Sequence, residues 1–356
     1  MPLLLDLKLN HLQTMTDHLG LLQHATFSTP NTEFGYCTDD NARALLFVTQ
    51  AHEQFPGERG LDELAEVYFR FVQAAFDSST GRLRNLRSYS GEWADETGPG
   101  DALGRAVWAL GSIVGDRINW PRRESAKVML MRVLPTLETM RDLRPISCAI
   151  LGLCAYLQRK ESPQVVETLK LLARRLTQRL SEEQQPDWPW PERTLTYENA
   201  RIPQAMIAAG RALEDRTLVH QGLSALRWLI QVQTDDGLFA PIGNHGWYTR
   251  GGEPAHFDQQ PIEADATIAA CLEGYKADGE SLWLSKAQMA FDWFLGDNAI
   301  GQPVSVLQTG GCRDGIGATN VNGNQGAEST LAWLMAQLHL QTLNMLARRR
   351  PTPANA

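Results

Sequence analysis

Cysteines are few in this chain, and their arrangement excludes several kinds of site. The five cysteines are odd in number and widely scattered, without CxxC spacing; they are Cys37, Cys148, Cys154, Cys271 and Cys312. This pattern does not fit a disulfide framework or a structural zinc site, and it favours free thiols in a reducing compartment. We therefore expect a cytoplasmic protein that uses no metal and no other cofactor.

The sequence also lacks an excess of basic residues and any long apolar run. Its 33 Lys and Arg residues are outnumbered by 41 Asp and Glu residues, for a net charge of −8. This balance argues against a nucleic-acid partner, because phosphate binding requires clustered Lys and Arg. The chain begins without a basic segment, and its first apolar run ends at Asp6. We therefore expect no signal peptide, and no stretch is long and apolar enough to span a membrane.

Two kinds of helical segment alternate along the chain. Segments of the first kind are amphipathic, which predicts helices with one face in water. These outer segments are 7–23, 61–75, 122–140, 163–180, 218–232 and 281–295. Segments of the second kind are nearly uncharged and rich in Ala and Gly, which predicts buried helices. These inner segments are 41–50, 102–113, 146–157, 202–213, 264–275 and 327–343.

The alternation of six outer and six inner segments predicts an all-α fold, a closed (α/α)6 toroid of helical hairpins. We expect one catalytic domain over residues 1–347 and a disordered basic tail over residues 348–356. An irregular helical bundle and an open solenoid are the alternatives. Regular alternation over the whole chain favours closure.

The linkers that lead from outer to inner helices are long and rich in Trp, Gly, Asn, Asp and Glu. In a ring of hairpins these linkers emerge at one end, so we expect them to form one functional mouth. Four acids there are the catalytic candidates. Asp40 and Glu263 begin inner helices, where the helix dipole lowers a carboxyl pKa and suits a base. Glu96 and Asp258 lie beside aromatic residues, where desolvation would raise the pKa and suit an acid.

The pattern acid-Asn-Ala-Arg occurs twice, at 40–43 and at 198–201. A purely structural interpretation is a carboxylate at a helix start with an arginine one turn later, and it applies equally to Asp39, Asp101 and Asp265. It does not explain so many acids with Trp and Asn beside them. Carboxylate pairs perform glycosidic bond hydrolysis, and flat aromatic faces hold sugar rings.

We expect three tryptophans, Trp188, Trp190 and Trp247, to line the pocket and stack on sugar rings. The other substrate-binding candidates are Asp39, Asn41, Arg43, Trp93, Asp95, Arg105, Tyr197, Glu198, Arg201, His245, Tyr248, Arg250, Gln260, Asn324, Gln325 and Glu328.

The mouth segments resemble the six-hairpin glycosidase superfamily. The segments that carry this resemblance are 36–43 (YCTDDNAR), 187–190 with 197–201, 243–252 (GNHGWYTRGG), 257–263 (FDQQPIE) and 324–328 (NQGAE). More closely, they are similar to a bacterial group of (α/α)6 proteins encoded beside, or fused to, glycosyltransferases and mannoside-processing enzymes. The resemblance implies an (α/α)6 fold, a sugar-active site and a functional link to a glycosyltransferase. It also favours inversion at the anomeric carbon, because most glycosidases of this shape invert.

We therefore predict a glycoside hydrolase that acts on an oligosaccharide or polysaccharide. A polysaccharide lyase is one alternative, because Asn244, His245, Tyr248 and Arg250 could neutralise a uronate and abstract its proton. A non-catalytic sugar-binding partner of a glycosyltransferase is another.

Histidines argue against a third activity. Sugar epimerases of this shape rely on histidines of the inner helices, and here only His245 and His256 fall in mouth loops. We expect the remaining histidines to lie away from the mouth; they are His11, His18, His24, His52, His220 and His339.

Overall fold

The computed structural model describes residues 7–118 and 120–349. Its helices are α1 (Asn10–Thr14), α2 (Thr38–Gln54), α3 (Leu61–Ala75), α4 (Gly100–Gly115), α5 (Arg123–Leu137), α6 (Leu143–Leu157), α7 (Pro163–Glu183), α8 (Arg201–Ala212), α9 (Arg216–Val232), α10 (Pro261–Asp278), α11 (Leu282–Leu295) and α12 (Ala327–Arg349). The even-numbered helices match the six predicted inner segments, and α3, α5, α7, α9 and α11 match five of the predicted outer ones.

All the described strands precede an inner helix. They are β1 (Leu22–Thr26), β2 (Thr29–Cys37), β3 (Phe76–Asp77), β4 (Arg82–Leu83), β5 (Leu86–Arg87), β6 (Thr194–Leu195), β7 (Thr234–Asp235), β8 (Leu238–Phe239), β9 (Tyr248–Thr249), β10 (Ser305–Val306), β11 (Gly311–Cys312), β12 (Gly315–Ile316) and β13 (Val321–Asn322). Strands β1, β2 and β5 form an antiparallel sheet, and the others pair two by two. The mouth linkers are therefore ordered by short strand pairs.

The ring of inner helices is closed. Each inner helix packs against the next, from α2 through α12, and α12 packs against α2. The outer helices cover the ring from outside, with α3 against α2 and α11 against α10. The prediction of a closed all-α toroid is confirmed, and neither alternative arrangement applies.

Glycine determines how closely two inner helices approach. A Cβ atom on Gly111 of α4 would lie 2.0 Å from the carbonyl oxygen of Gly152 in α6. A Cβ atom on Gly152 would lie 2.3 Å from the carbonyl oxygen of Val107. The two backbones therefore touch, which is possible only without side chains at these positions. This contact explains why the inner segments are rich in small residues.

The first outer helix was predicted wrongly. In place of one helix over residues 7–23, the chain forms the five-residue α1 and then the hairpin of β1 and β2. The side chain of Asp17 accepts hydrogen bonds from the backbone N–H groups of Leu19 (2.8 Å) and Gly20 (3.3 Å), which turns the chain. Both α1 and β1 pack against α12. This segment therefore covers the side of the ring where a sixth outer helix was expected.

Two expectations concern the ends of the chain. The segment for which we expect no signal peptide, residues 1–6, lies outside the described residues. Helix α12 continues to Arg349, two residues into the predicted tail, and residues 350–356 also lie outside the described part. None of the helices in residues 7–118 and 120–349 is long and apolar enough to cross a membrane.

Candidate active site

A cavity of about 830 Å³ opens where the inner helices begin. It is lined from the hairpin of β1 and β2, the start of α2, the linker before α10, and the linker and first turn of α12. Of the predicted site residues, this cavity contains Asp39, Asp40, Asp258, Gln260, Asn324 and Glu328. These residues come from three of the six linkers, those before α2, α10 and α12, so three linkers far apart in sequence meet at one cavity.

Asp40 is the buried acid of this cavity. Its side chain accepts a hydrogen bond from the thiol of Cys37, with 3.1 Å between Sγ and Oδ2. Burial and the neighbouring charge of Asp39 raise the pKa of Asp40 to about 7, although Arg43 opposes the shift. We expected the helix dipole to lower this pKa and make Asp40 a base. The expected direction of the pKa shift is wrong, because desolvation outweighs the dipole, and near neutral pH a substantial fraction of Asp40 is protonated.

Asp39 lies beside Asp40 and is held by two arginines. Arg43 donates from Nε to Asp39 Oδ2 at 3.1 Å, and Arg105 donates from Nε to Asp39 Oδ1 at 2.5 Å. Arg43 also pairs with Glu328, with 2.8 Å between Nη2 and Oε2. Burial raises the pKa of Glu328. The cavity therefore places Asp40, whose pKa is raised, next to Asp39, which is paired with two guanidinium groups.

A buried ion network continues below the cavity into the centre of the ring. Glu198 accepts hydrogen bonds from both terminal nitrogens of Arg105 and from Nε of Arg201. Arg201 also donates to Asp265 at 2.5 Å, and Asp265 bonds to His339 at 3.0 Å. Burial alone would raise the pKa of Glu198, but Arg105, Arg43 and Arg201 outweigh it and hold the pKa well below its usual range. The surrounding arginines therefore favour the charged form of Glu198, and their ion pairs join α4 to the start of α8.

Glu263 supports this network from α10. It accepts hydrogen bonds from the backbone N–H of Glu198 and from the backbone N–H of Asn199 at 3.3 Å. Burial and the charge of Glu198 raise the pKa of Glu263 to about 7. We proposed Glu263 as a base, but it does not line the cavity and its oxygens hold the loop before α8. It is better described as a positioning residue.

Several predicted sugar ligands hold other parts of the protein instead, either backbone groups or, for Tyr197, a carboxylate side chain. Asn41 bonds to the backbone of Leu21 and Cys37. Asp95 accepts from two backbone N–H groups between β4 and β5. Tyr197 donates its hydroxyl to Asp101 at 2.8 Å. Arg250 donates to the carbonyl of Glu183 at 2.7 Å. Each of these contacts fixes a linker, which is why these polar residues cluster at the mouth.

The remaining predicted residues lie outside the cavity lining. Glu96 is exposed to solvent, so the expected desolvation of its carboxyl does not occur. Trp93 packs edge-on against Phe71. His245 is exposed on its loop, and the side chain of Gln325 is buried below the cavity lining. The proposed acid role of Glu96 therefore has no support from its position.

Two of the three expected aromatic platforms, Trp188 and Trp190, were predicted wrongly. Trp188 is 3% exposed and Trp190 is 0% exposed, so neither can stack on a ligand. Trp188 packs edge-on against Trp228 and Tyr248, each with 5.0 Å between ring centroids. Trp247 is half-buried against the core. These rings form an apolar cluster under the linkers, and sequence alone does not distinguish such a cluster from a binding surface.

Four cavity residues with ionisable or aromatic side chains were not among the predicted site residues. Asp314, Cys37, His24 and Phe27 all line the cavity. Asp314 belongs to a mouth linker, and burial raises its pKa. His24 was expected far from the mouth because the hairpin was read as an outer helix, and the structure corrects this. A histidine therefore does face the cavity.

Among the residues the structure describes, no group of three or more His, Cys, Asp or Glu side chains is arranged to hold a metal ion. No protein-family model and no curated protein sequence matches the chain.

Solved structures do share the fold. A D-mannose isomerase superposes with a TM-score of 0.73 at 14% identity, covering 94% of each chain. A sugar epimerase from a ruminal bacterium gives 0.71 at 12% identity, covering 92% of this chain and 94% of that one. The GH76A α-1,6-mannanase of Salegentibacter sp. HEL1_6 gives 0.63 at 10% identity, covering 94% and 96%. The chain therefore has an (α/α)6 barrel fold like that of these structures, as its sequence predicted.

Proposed function

We propose that this protein is a glycoside hydrolase that acts on an oligosaccharide or polysaccharide. The observation that supports this most directly is the presence of Asp40, with a pKa of about 7, in the same cavity as the solvent-exposed Asp258. Hydrolysis needs one carboxyl that is protonated and one carboxylate that activates water. Asp258 was expected to be an acid because of its aromatic neighbour, but it is exposed, so the desolvation behind that expectation is lacking. We therefore assign the acid role to Asp40 and the base role to Asp258.

In this mechanism Asp40 donates its proton to the glycosidic oxygen as the bond from that oxygen to the anomeric carbon breaks. Asp258 takes a proton from a water molecule, whose oxygen bonds to the anomeric carbon from the opposite face. Asp258 comes from the linker before α10 and Asp40 from α2, and in this mechanism the sugar occupies the cavity that both residues line. Attack from the opposite face inverts the configuration, in keeping with the resemblance described above.

A further argument comes from consecutive aspartates. An inactive variant of the Salegentibacter α-1,6-mannanase, in which two consecutive aspartates are replaced by alanine, was solved in complex with α-1,6-mannotetrose. Two such pairs occur in the present sequence, Asp39–Asp40 and Asp235–Asp236. Only the first lies in the cavity, while the second is exposed on the hairpin of β7 and β8.

The test is turnover by the Asp40→Asn protein. The assay measures reducing-sugar release from a panel that includes α-1,6-mannotetraose, cellotetraose and a uronate-containing oligosaccharide. Loss of a general acid should lower turnover by roughly 10²- to 10⁴-fold while the fold is kept. Asp235→Asn is the matched control and should retain full activity. Normal turnover by Asp40→Asn would contradict the assignment.

The same assay separates the rival functions. An unsaturated product that absorbs in the ultraviolet would indicate a lyase. Binding of a panel member without any turnover would indicate a sugar-binding module, and either result would contradict hydrolysis.

A sugar epimerase or isomerase is the second candidate function. It is favoured by the likeness to the D-mannose isomerase and the ruminal epimerase, and by His24 in the cavity. Such an enzyme moves a proton on a carbon atom next to a carbonyl group. Incubation with mannose, glucose and cellobiose in D₂O therefore distinguishes the two. Deuterium in the recovered sugar supports epimerisation or isomerisation, and chain cleavage without deuterium incorporation supports hydrolysis.

A further inference from the structure

The tip of the hairpin formed by β1 and β2 is fastened to the linker that precedes α12. Phe27, at the tip, donates its backbone N–H to Asn324 Oδ1 at 2.9 Å. Its carbonyl oxygen accepts the backbone N–H of Gln325, also at 2.9 Å. Phe27 also has a φ of 53°, in the left-handed region that non-glycine residues rarely adopt. The backbone of this residue is thus held in a single uncommon conformation by a second loop.

The ring of Phe27 lines the cavity and is 69% exposed. It lies against Gly323, where a Cβ atom would come 3.1 Å from its Cδ1 atom. A single exposed phenylalanine on a protein surface is ordinary. This ring differs because it is clamped through its backbone and lines the same cavity as the polar residues Gln23, Asn320 and Asn322. An apolar ring face with amides around it is the chemistry that binds a pyranose.

The hairpin also separates this ring from the catalytic carboxyl. Its base, where Leu22 pairs with Tyr36, leads directly to Cys37 and Asp40, and its last pair at the tip is Thr26 with Thr29. Leu22 and Thr26 are four residues apart on β1, which corresponds to about 13 Å of strand. This distance is longer than one sugar ring. We therefore expect a ligand that contacts both Asp40 and Phe27 to contain at least two sugar residues.

We propose that Phe27 forms a distal subsite that stacks on a sugar ring away from the bond that is cleaved. The ligand class is an oligosaccharide or a longer glycan that runs along the hairpin from Asp40 to its tip. This inference rests on the proposed carbohydrate function. It goes further by assigning recognition of chain length to a residue outside the acidic part of the cavity.

The test is calorimetric binding with the Asp40→Asn protein, so that ligands stay intact. The ligands are α-1,6-mannotetraose and cellotetraose, with mannose and glucose as their one-ring counterparts. When Phe27→Ala is added to Asp40→Asn, the affinity for the tighter-binding tetrasaccharide should fall roughly tenfold, because the ring face and its buried area are lost. The affinity for the monosaccharide should not change, and Phe27→Trp should retain tetrasaccharide binding. Phe34→Ala is the matched control, since Phe34 is an exposed phenylalanine of the same hairpin that does not line the cavity.

Two results would overturn the subsite. One is unchanged tetrasaccharide binding by Phe27→Ala, or equal weakening by Phe34→Ala. The other is the absence of binding by any tetrasaccharide to the parent protein. Failure of the proposed hydrolase is distinguishable from both, because tetrasaccharide binding that depends on Phe27 without turnover by the wild-type protein would support the subsite and contradict hydrolysis.

Discussion

The two copies of the acid-Asn-Ala-Arg pattern have opposite electrostatic outcomes. In the first copy Asp40 faces the cavity, and its pKa is raised to about 7. In the second copy Glu198 is fully buried, and its pKa is held below the usual range. In both, the asparagine holds backbone: Asn41 bonds to Leu21 and Cys37, and Asn199 bonds to Thr196. The motif therefore has a shared structural role, whereas the acid in it does not.

The difference comes from where each copy lies relative to its helix. Asp40 is the third residue of α2, and Arg43 turns away from it to pair with Asp39 and Glu328. Glu198 precedes α8 by three residues with a φ of 46°, so its carboxylate meets Arg201 directly and Arg105 from α4. The number of guanidinium groups bonded to the carboxyl decides its charge. Asp40 can therefore donate a proton, whereas Glu198 holds arginines together inside the ring.

The largest effect that separates the two copies is on stability. Glu198→Gln leaves the buried Arg105 and Arg201 without their shared anion, and we expect it to lower the free energy of unfolding by about 3–5 kcal/mol. Urea-induced unfolding measures this change. Glu167→Gln removes an exposed i,i+3 pair with Lys170 and is the matched control, with an expected change under about 1 kcal/mol. Equal effects of the two substitutions would show that the central network does not stabilise the ring.

A smaller effect should appear in the pH dependence of stability at Asp40. Because the folded pKa of Asp40 is raised, its contribution is fully present below the unfolded pKa near 4 and is lost as pH rises to about 7. Asp40→Asn cannot ionise at this position, so it does not lose this part of the free energy of unfolding as pH rises. We therefore expect the variant to gain stability relative to the wild type between pH 5 and pH 8, by a few kcal/mol at most. Urea unfolding at the two pH values measures it, with Asp235→Asn as a control that shows no such trend.

The smallest effect concerns Arg43, which lowers the pKa of Asp40. If Asp40 is the general acid, kcat/KM of the wild type should fall as pH rises through about 7. Arg43→Gln should move this fall upward by roughly one pH unit, because a positive charge near the carboxyl is removed. Arg43→Lys keeps the charge and should leave the profile near that of the wild type. A profile that does not move in Arg43→Gln would argue against Asp40 as the titrating acid.

Much of the fold could be predicted because it depends on local patterns. Uncharged segments rich in Ala and Gly alternate with amphipathic ones, and this alternation identified α2 to α12 and the common mouth. The first outer element could not be predicted in this way, because the turn at Asp17 and the clamp between Phe27 and Asn324 involve contacts that helical periodicity does not contain.

The candidate site shows the same limit more sharply. Trp188 and Trp190 lie in a mouth linker, as a sugar platform would, yet they pack against Trp228 of α9. Phe27 was not among the predicted site residues, although it lines the cavity and its side chain is exposed. Glu96 looked like a desolvated acid and is exposed. In each case the exposure of the side chain depends on residues that are distant in sequence and pack against it only in the folded protein.

The sequence by itself determined the closed ring of hairpins and the concentration of acids at one end, because both follow from periodicity and linker composition along the chain. Only the tertiary structure decided which acids are protonated, which are neutralised and which aromatic ring is open to a ligand. The pKa of Asp40 depends on Asp39, Arg43 and Glu328 together, and that of Glu198 depends on Arg105 from a helix 93 residues earlier in the chain. Burial and charge act through space, and their balance exists only after the ring has closed.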